Sequence, residues 1–144
     1  MRHVAVTLQE HGIKPSAQRI AVAHYVLATD VHPSADQVLA TVRGTLPMLS
    51  RATVYNTLNL LVRKGLLREL ALAPGRVVFD PKVEPHHHFI DDTTGRIHDV
   101  PWDAVRVSKV ESVEGFDVRE YQVVMRGRAS GRARSGAPSP RSLA

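Results

Sequence analysis

Three consecutive histidines, His86, His87 and His88, form the densest set of metal-ligating side chains in this sequence. On an extended strand, residues two apart point the same way, so His86 and His88 can share one ion while His87 faces the opposite side. Asp99 follows them, Asp80 precedes them by six positions, and His32 lies far upstream. Imidazole nitrogens combined with carboxylate oxygens suit ferrous iron, manganese or zinc. The sequence contains no cysteine, which excludes disulfides, thiolate-ligated structural zinc and cysteine nucleophiles. The candidate ligands for one divalent ion, Fe2+, Mn2+ or Zn2+, are thus His86 and His88 together with His32, Asp80 and Asp99. His98, beside Asp99, is a candidate ligand for a second ion. Against this stands the bland reading that histidine runs also occur on solvated surfaces. His3, His11 and His24 are expected to be surface or packing residues.

Elements must bring such distant ligands together. Pro15 to Ala28 opens on Pro-Ser and continues with Ile20, Ala23 and Leu27 at helical spacing. Ser34 with Gln37 three residues later is a capping-box pattern, and Val38, Leu39 and Val42 give a second helix its apolar side. Ser50 can cap a third helix from Arg51 to about Lys64, closed by Gly65. Leu66 to Leu70 and Arg76 to Phe79 flank Ala-Pro-Gly as a hairpin. Three helices followed by a hairpin is the winged-helix order. The third helix presents Arg51, Tyr55, Asn56, Asn59 and Arg63 on the side opposite its apolar residues. With Lys14, Arg19, Thr53 and Arg76 they are the candidate DNA contacts, able to reach phosphates or base edges. Exposed Arg and Asn on a helix are otherwise ordinary surface.

Past Pro85 the pattern becomes strand-like. His86 to Ile90 alternate, Asp91 to Gly95 read as a turn, and Ile97 to Val100 can return antiparallel. Phe116 to Met125 is a third strand candidate. Trp102 to Glu114 reads either as a short helix or, through Val105 and Val107, as strand. The expected fold class is α+β: a winged-helix DNA-binding domain over 1–80, a small, mainly-β metal-binding domain over 81–127, and a disordered basic tail over 128–144 rich in Gly, Ser, Pro, Ala and Arg.

Charge supports the division. Residues 1–79 hold nine Lys or Arg against four Asp or Glu, residues 80–125 hold five against ten, and the remainder holds five Arg and no acid. A basic first half suits double-stranded DNA, and an acidic second half suits cations. A metal ion would offset Asp80 and Asp99 and tie residues of both halves together, so occupancy is expected to govern DNA binding. No stretch approaches 18 apolar residues and the start lacks a secretory apolar region, so no membrane association and a cytoplasmic location are expected.

The chain resembles the ferric uptake regulator family, in its peroxide-responsive and iron-response branches. The resemblance rests on Gly12-Ile13-Lys14-Pro15-Ser16-Ala17-Gln18-Arg19, His32-Pro33-Ser34-Ala35-Asp36, Ser50-Arg51-Ala52-Thr53-Val54-Tyr55-Asn56-Thr57-Leu58, and Phe79-Asp80 followed by the histidines. It implies a homodimer that binds promoter DNA under metal control, with regulatory ligands on His32, Asp80, His86, His88 and Asp99. Tyr55 matches the family's recognition-helix tyrosine, and Asn56 matches its peroxide-responsive members. The family's paired-cysteine zinc motifs fall here on Asp91 and Thr94 and in the tail, so that zinc is excluded. A second family site maps to Pro85, His87 and Glu120 and is expected to be empty or weak. The connection from Asp99 to Phe116 is shorter than usual, which puts the customary helix there in question.

Three functions follow. In the first, a transcriptional repressor senses peroxide through oxidation of His32 or His86 at a ferrous site. In the second, an iron-response regulator uses His86-His87-His88-Phe89, with His87 and His98 among the ligands, to sense haem. The third is a metal-dependent hydrolase. No general base beside a substrate cleft is legible, so the protein is not expected to be an enzyme.

Overall fold

The computed structural model describes residues 2–130. The chain divides into two compact units, Met1–Val83 and Glu84–Ala144.

The first unit opens with α1 (Arg2–Glu10), a helix that the sequence reading lacks. No capping residue and no first-turn acid announce it. Short isolated helices are marginal in water, and α1 is held instead by Leu8, fully buried in the core beside Ile13. Next come α2 (Ala17–Val26), α3 (Ala35–Val42) and α4 (Arg51–Arg63). The helix expected over 15–28 is thus shorter at both ends. Ser16 caps it by accepting from the Arg19 N–H. The Ser34 and Gln37 side chains each bond the other's backbone N–H, completing a capping box at α3. Ser50 caps α4.

The end of α4 is set by Gly65 at φ 78, a left-handed conformation that costs glycine nothing. Its N–H donates to Val62 O and that of Leu66 to Leu61 O, the paired bonds of a Schellman motif. The chain then turns into a hairpin of β1 (Arg68–Ala73) and β2 (Arg76–Asp80), antiparallel from Arg68↔Asp80 to Ala73↔Arg76. Val22, Val26, Val38, Val54, Leu58, Leu61 and Phe79 share one core. The expected helices and hairpin are therefore present, preceded by one more helix.

The second unit is a three-stranded sheet in the order β4-β3-β5: β3 (His87–Asp91), β4 (Ile97–Val100) and β5 (Val124–Gly127). The turn between β3 and β4 is organised by Asp91. Its Oδ1 accepts from the Thr93 N–H at 2.9 Å and the Thr93 hydroxyl at 2.6 Å, and its carbonyl accepts from Gly95 N–H. Thr93 thereby holds the Asp91 carboxyl below its ordinary range.

The third strand departs from expectation. It spans Val124–Gly127, not Phe116 to Met125, and runs parallel to β3. Residues 111–120 are all exposed, Phe116 at 72%, so apolar alternation there has no buried face to line. Between β4 and β5 the only helical turns among the described residues are 3-10 turns at Trp102–Ala104 and Val110–Ser112. The α-helix placed in question by the short connection is not formed: Pro101 and β-branched residues disfavour it, and Lys109 is left-handed. The reading of a disordered tail falls mostly on 131–144, outside the described residues.

Candidate metal centre

In the first unit, His32 and Asp80 meet because the Pro33 carbonyl accepts from the Phe79 N–H at 2.9 Å, which sets the neighbours of both residues side by side. His32 Nε2 lies 3.3 Å from Asp80 Oδ2, with both side chains buried. Asp80 Oδ1 accepts from the Lys82 N–H at 2.9 Å, so the other oxygen is the one turned to His32. His32 itself has φ 53, a left-handed backbone rare outside glycine. Such strain costs about 1–3 kcal/mol and persists where the surroundings enforce it. Pro33 and the capping box at Ser34 follow it directly in the chain.

In the second unit, His88 and Asp99 are cross-strand partners. Asp99 Oδ1 lies 3.4 Å from His86 Nε2 and 3.6 Å from His88 Nε2. Both histidines are buried, whereas the Asp99 side chain is about one-third exposed. Each ring is oriented from behind. His86 Nδ1 is 2.7 Å from the Glu84 carbonyl, which can only accept, so that nitrogen carries the proton. His88 Nδ1 is 2.8 Å from Gln122 Oε1. With Nδ1–H donated, each neutral ring leaves its Nε2 lone pair available, the tautomer required for a metal bound at Nε2.

The residues present fit a divalent ion. Two donors about 2.1 Å from one ion lie about 3.4 Å apart in a tetrahedral shell and about 3.0 Å apart in an octahedral one. The separations in both units fall in or just beyond that range. The donors are nitrogen and oxygen throughout, which matches ferrous, manganous or zinc ions and not soft thiolate-seeking ones.

The remaining histidines are placed differently. His87 is buried on the other side of β3, its ring stacked on Trp102 with centroids 4.6 Å apart and planes at 16°. Its Nε2 donates to the Trp102 carbonyl at 3.2 Å, and its Nδ1 accepts from the Val123 N–H at 2.9 Å. Both nitrogens are committed, so the unit offers no ligand atom here for a second ion or a haem. Burial lowers its pKa, in agreement with a neutral ring. Glu120, the other ionisable residue of that expected second site, is exposed beside Arg119. His98 pairs with Phe89 across the strands, on the face opposite Asp99. His3, His11 and His24 are exposed. Sequence reasoning missed Gln122 and Trp102, because no local pattern links either to the histidines.

On α4, Val54, Thr57, Leu58 and Leu61 face the core, while Arg51, Tyr55, Asn56, Asn59 and Arg63 are exposed. Thr53 is half-buried, and its hydroxyl accepts from that of Ser50. Arg51, at the first position of the helix, forms an ion pair with Asp36 of α3. Lys14 is exposed, and its carbonyl accepts from the half-buried Arg19 guanidinium at 3.0 Å. Arg76 begins β2.

A helical unit ending in a hairpin, followed by a small sheet bearing histidine and aspartate donors, defines a winged-helix metalloregulator. The model of the Ferric uptake regulator family matches residues 10–126, and the chain belongs to that family. It is 30% identical over 129 residues to the Peroxide operon regulator of Bacillus subtilis, covering 88% of this chain and 89% of that protein. It is 27% identical to the Peroxide-responsive repressor PerR of Staphylococcus aureus (strain Mu50), over 84% of this chain and 83% of that one. The fold is shared with the Vibrio cholerae ferric uptake regulator at a TM-score of 0.70 and 19% identity, over 87% of this chain and 98% of that one. The protein is thus a metal-dependent, DNA-binding transcription regulator with a His/Asp metal site, and not an enzyme. Among the described residues no helix is long and apolar enough to cross a membrane.

Proposed function

We propose that the protein is a cytoplasmic, homodimeric repressor that releases promoter DNA when peroxide oxidises its metal centre. His32 and Asp80 of the first unit and His86, His88 and Asp99 of the second would ligate one ferrous or manganous ion. Residues 1–80 would bind DNA, and 81–127 would dimerise. Lys14, Arg19, Arg51, Thr53, Tyr55, Asn56, Asn59, Arg63 and Arg76 would form the DNA face.

The observation that carries this reading is the pair of Nε2 atoms on one carboxylate oxygen, at 3.4 and 3.6 Å, with the His86 proton held at Nδ1 by a carbonyl. That arrangement prepares nitrogen donors for a cation. The two relatives described above are named for peroxide. Ferrous iron bound there would supply the electron that cleaves peroxide. The hydroxyl radical so formed beside hydroxide would add to the ring of His32 or His86. Return of one electron from that adduct to the ferric ion and loss of one proton would leave one oxygen on the ring, the other leaving as water, and the oxidised ring would no longer serve as a donor. DNA affinity falls by the free energy that the metal had contributed to the binding-competent state.

The test loads the protein with ferrous iron, adds low peroxide, and reads histidine mass and DNA binding together. The DNA is a duplex selected with manganese-loaded protein, and manganese-loaded protein is the control. A gain of about 16 Da on His32 or His86, one oxygen atom, with loss of binding only in the ferrous sample supports the reading. Binding lost without histidine oxidation overturns it. The haem-sensing alternative has less support, since both nitrogens of His87 are engaged within the second unit.

A further inference from the structure

His88 is oriented by a residue that no local sequence pattern ties to it. Gln122 lies just before β5, in a stretch that forms no strand up to Val123. Its Oε1 is 2.8 Å from His88 Nδ1. Unlike a backbone carbonyl, a side-chain amide can be replaced by mutation, and its placement depends on where its own backbone is held.

That fixation comes from the other face of β3. Val123 is bonded through both of its backbone groups. Its N–H donates to His87 Nδ1 at 2.9 Å, and its carbonyl accepts from the His88 N–H at 3.1 Å. His87 is anchored in turn through Nε2–H to the Trp102 carbonyl and by stacking on the indole. Tyr121 closes the group, its ring 4.8 Å from that of Trp102. A backbone N–H can only donate and a carbonyl can only accept, so these bonds require one tautomer of His87, neutral and protonated at Nε2. The middle histidine therefore grips residues 121–123 while its neighbours face Asp99.

We propose that Gln122 is a positioning residue of the metal centre: its side-chain oxygen holds His88 in the Nδ1–H tautomer that leaves Nε2 to the metal, and the His87–Trp102 latch keeps Gln122 there. This rests on the reading of His88 as a metal ligand. His86 needs no such residue, because the Glu84 backbone serves it. The two histidines on one oxygen are thus under different control, one from the main chain and one from a replaceable side chain.

The test uses full-length, metal-free protein with 15N-labelled histidine at mildly alkaline pH, and reads ring tautomers by long-range 1H–15N correlation. Wild type is expected to show Nδ1–H for both His86 and His88. In Gln122→Leu, His88 should move to Nε2–H while His86 stays, and Co2+ affinity by chelator competition should fall about 10- to 100-fold. Gln122→Glu keeps an acceptor oxygen and should retain the wild-type tautomer and affinity. Gln122→Met is a second variant of similar length should the leucine protein fail to fold. An unchanged His88 tautomer in the apolar variants, or Nε2–H already in wild type, overturns the proposal. A tautomer that moves while Co2+ affinity does not overturns Gln122 as a positioning residue of the metal centre, and with it His88 as a ligand. Failure of wild type to bind Co2+ rejects the metal reading alone, since the tautomers are read without metal.

Discussion

His88 and Asp99 stand opposite each other in the antiparallel register of β3 and β4, and His88 Nε2 lies 3.6 Å from Asp99 Oδ1. The same oxygen is 3.4 Å from His86 Nε2, so one carboxylate serves two imidazoles. Asp99→Asn keeps the shape and removes the charge. Metal affinity should drop by at least the about 10- to 100-fold seen when a supporting residue is lost. The side chain is about one-third exposed, so the fold should survive, with a thermal midpoint for the metal-free protein near that of wild type. Chelator competition with Mn2+ gives the affinity. An unaltered value would remove Asp99 from the ligand set.

The capping box that follows His32 supplies a second prediction. Ser34→Ala deletes one partner of a reciprocal pair, the Ser34 Oγ that accepts from Gln37 N–H at 3.2 Å. The cost should be about 1 kcal/mol in urea unfolding. Because His32 sits two residues earlier in a left-handed backbone, the same variant should also weaken metal binding. Loss of stability with full metal affinity would separate the cap from the site.

Much of this architecture was legible in the chain because it is local. Ser34 with Gln37, Ser50 and Gly65 mark helix ends through bonds spanning a few residues, and those ends lie where expected. The period of a strand was enough to divide His86 and His88 from His87. Long-range features were not legible. α1 carries no start signal and depends on burial of Leu8. β5 begins only at Val124, because the bonds from His87 and His88 to Val123, not alternation in 116–125, set where pairing starts. Gln122 and Trp102 meet the histidines only in the folded second unit.

The buried His87 gives a pH prediction. Burial lowers its pKa from the ordinary 6.5. The unfolded chain then binds a proton at a pH where the folded one does not, so stability rises with pH in that window. The contribution is fully present above the unfolded value and is lost as pH falls below it toward the folded value. His87→Phe keeps an aromatic ring on Trp102 and should flatten this dependence in the metal-free protein while lowering stability on the alkaline side, where the bonds to Trp102 and Val123 are lost. Denaturation midpoints measured across that range decide the matter. An equally steep profile in the variant would assign the dependence to other groups.

The ion pair between Arg51 and Asp36 bears on DNA affinity. Both side chains are exposed, at 60% and 67%, so the pair is worth little to the fold, about 0–1 kcal/mol. Arg51 stands at the start of α4, among the residues proposed to meet DNA. A phosphate approaching it must displace or share the Asp36 carboxylate, which also repels the backbone. Asp36→Asn should therefore strengthen binding several-fold at low salt with little change in unfolding midpoint. The gain should shrink as salt rises, because each phosphate neutralised adds about 0.9 to the slope of log affinity against log salt. Arg51→Ala should lower that slope by about one and weaken binding to matched and unmatched duplexes alike. If Arg51→Ala instead weakens only the matched duplex, Arg51 reads bases, and Asp36 is the residue that orients it.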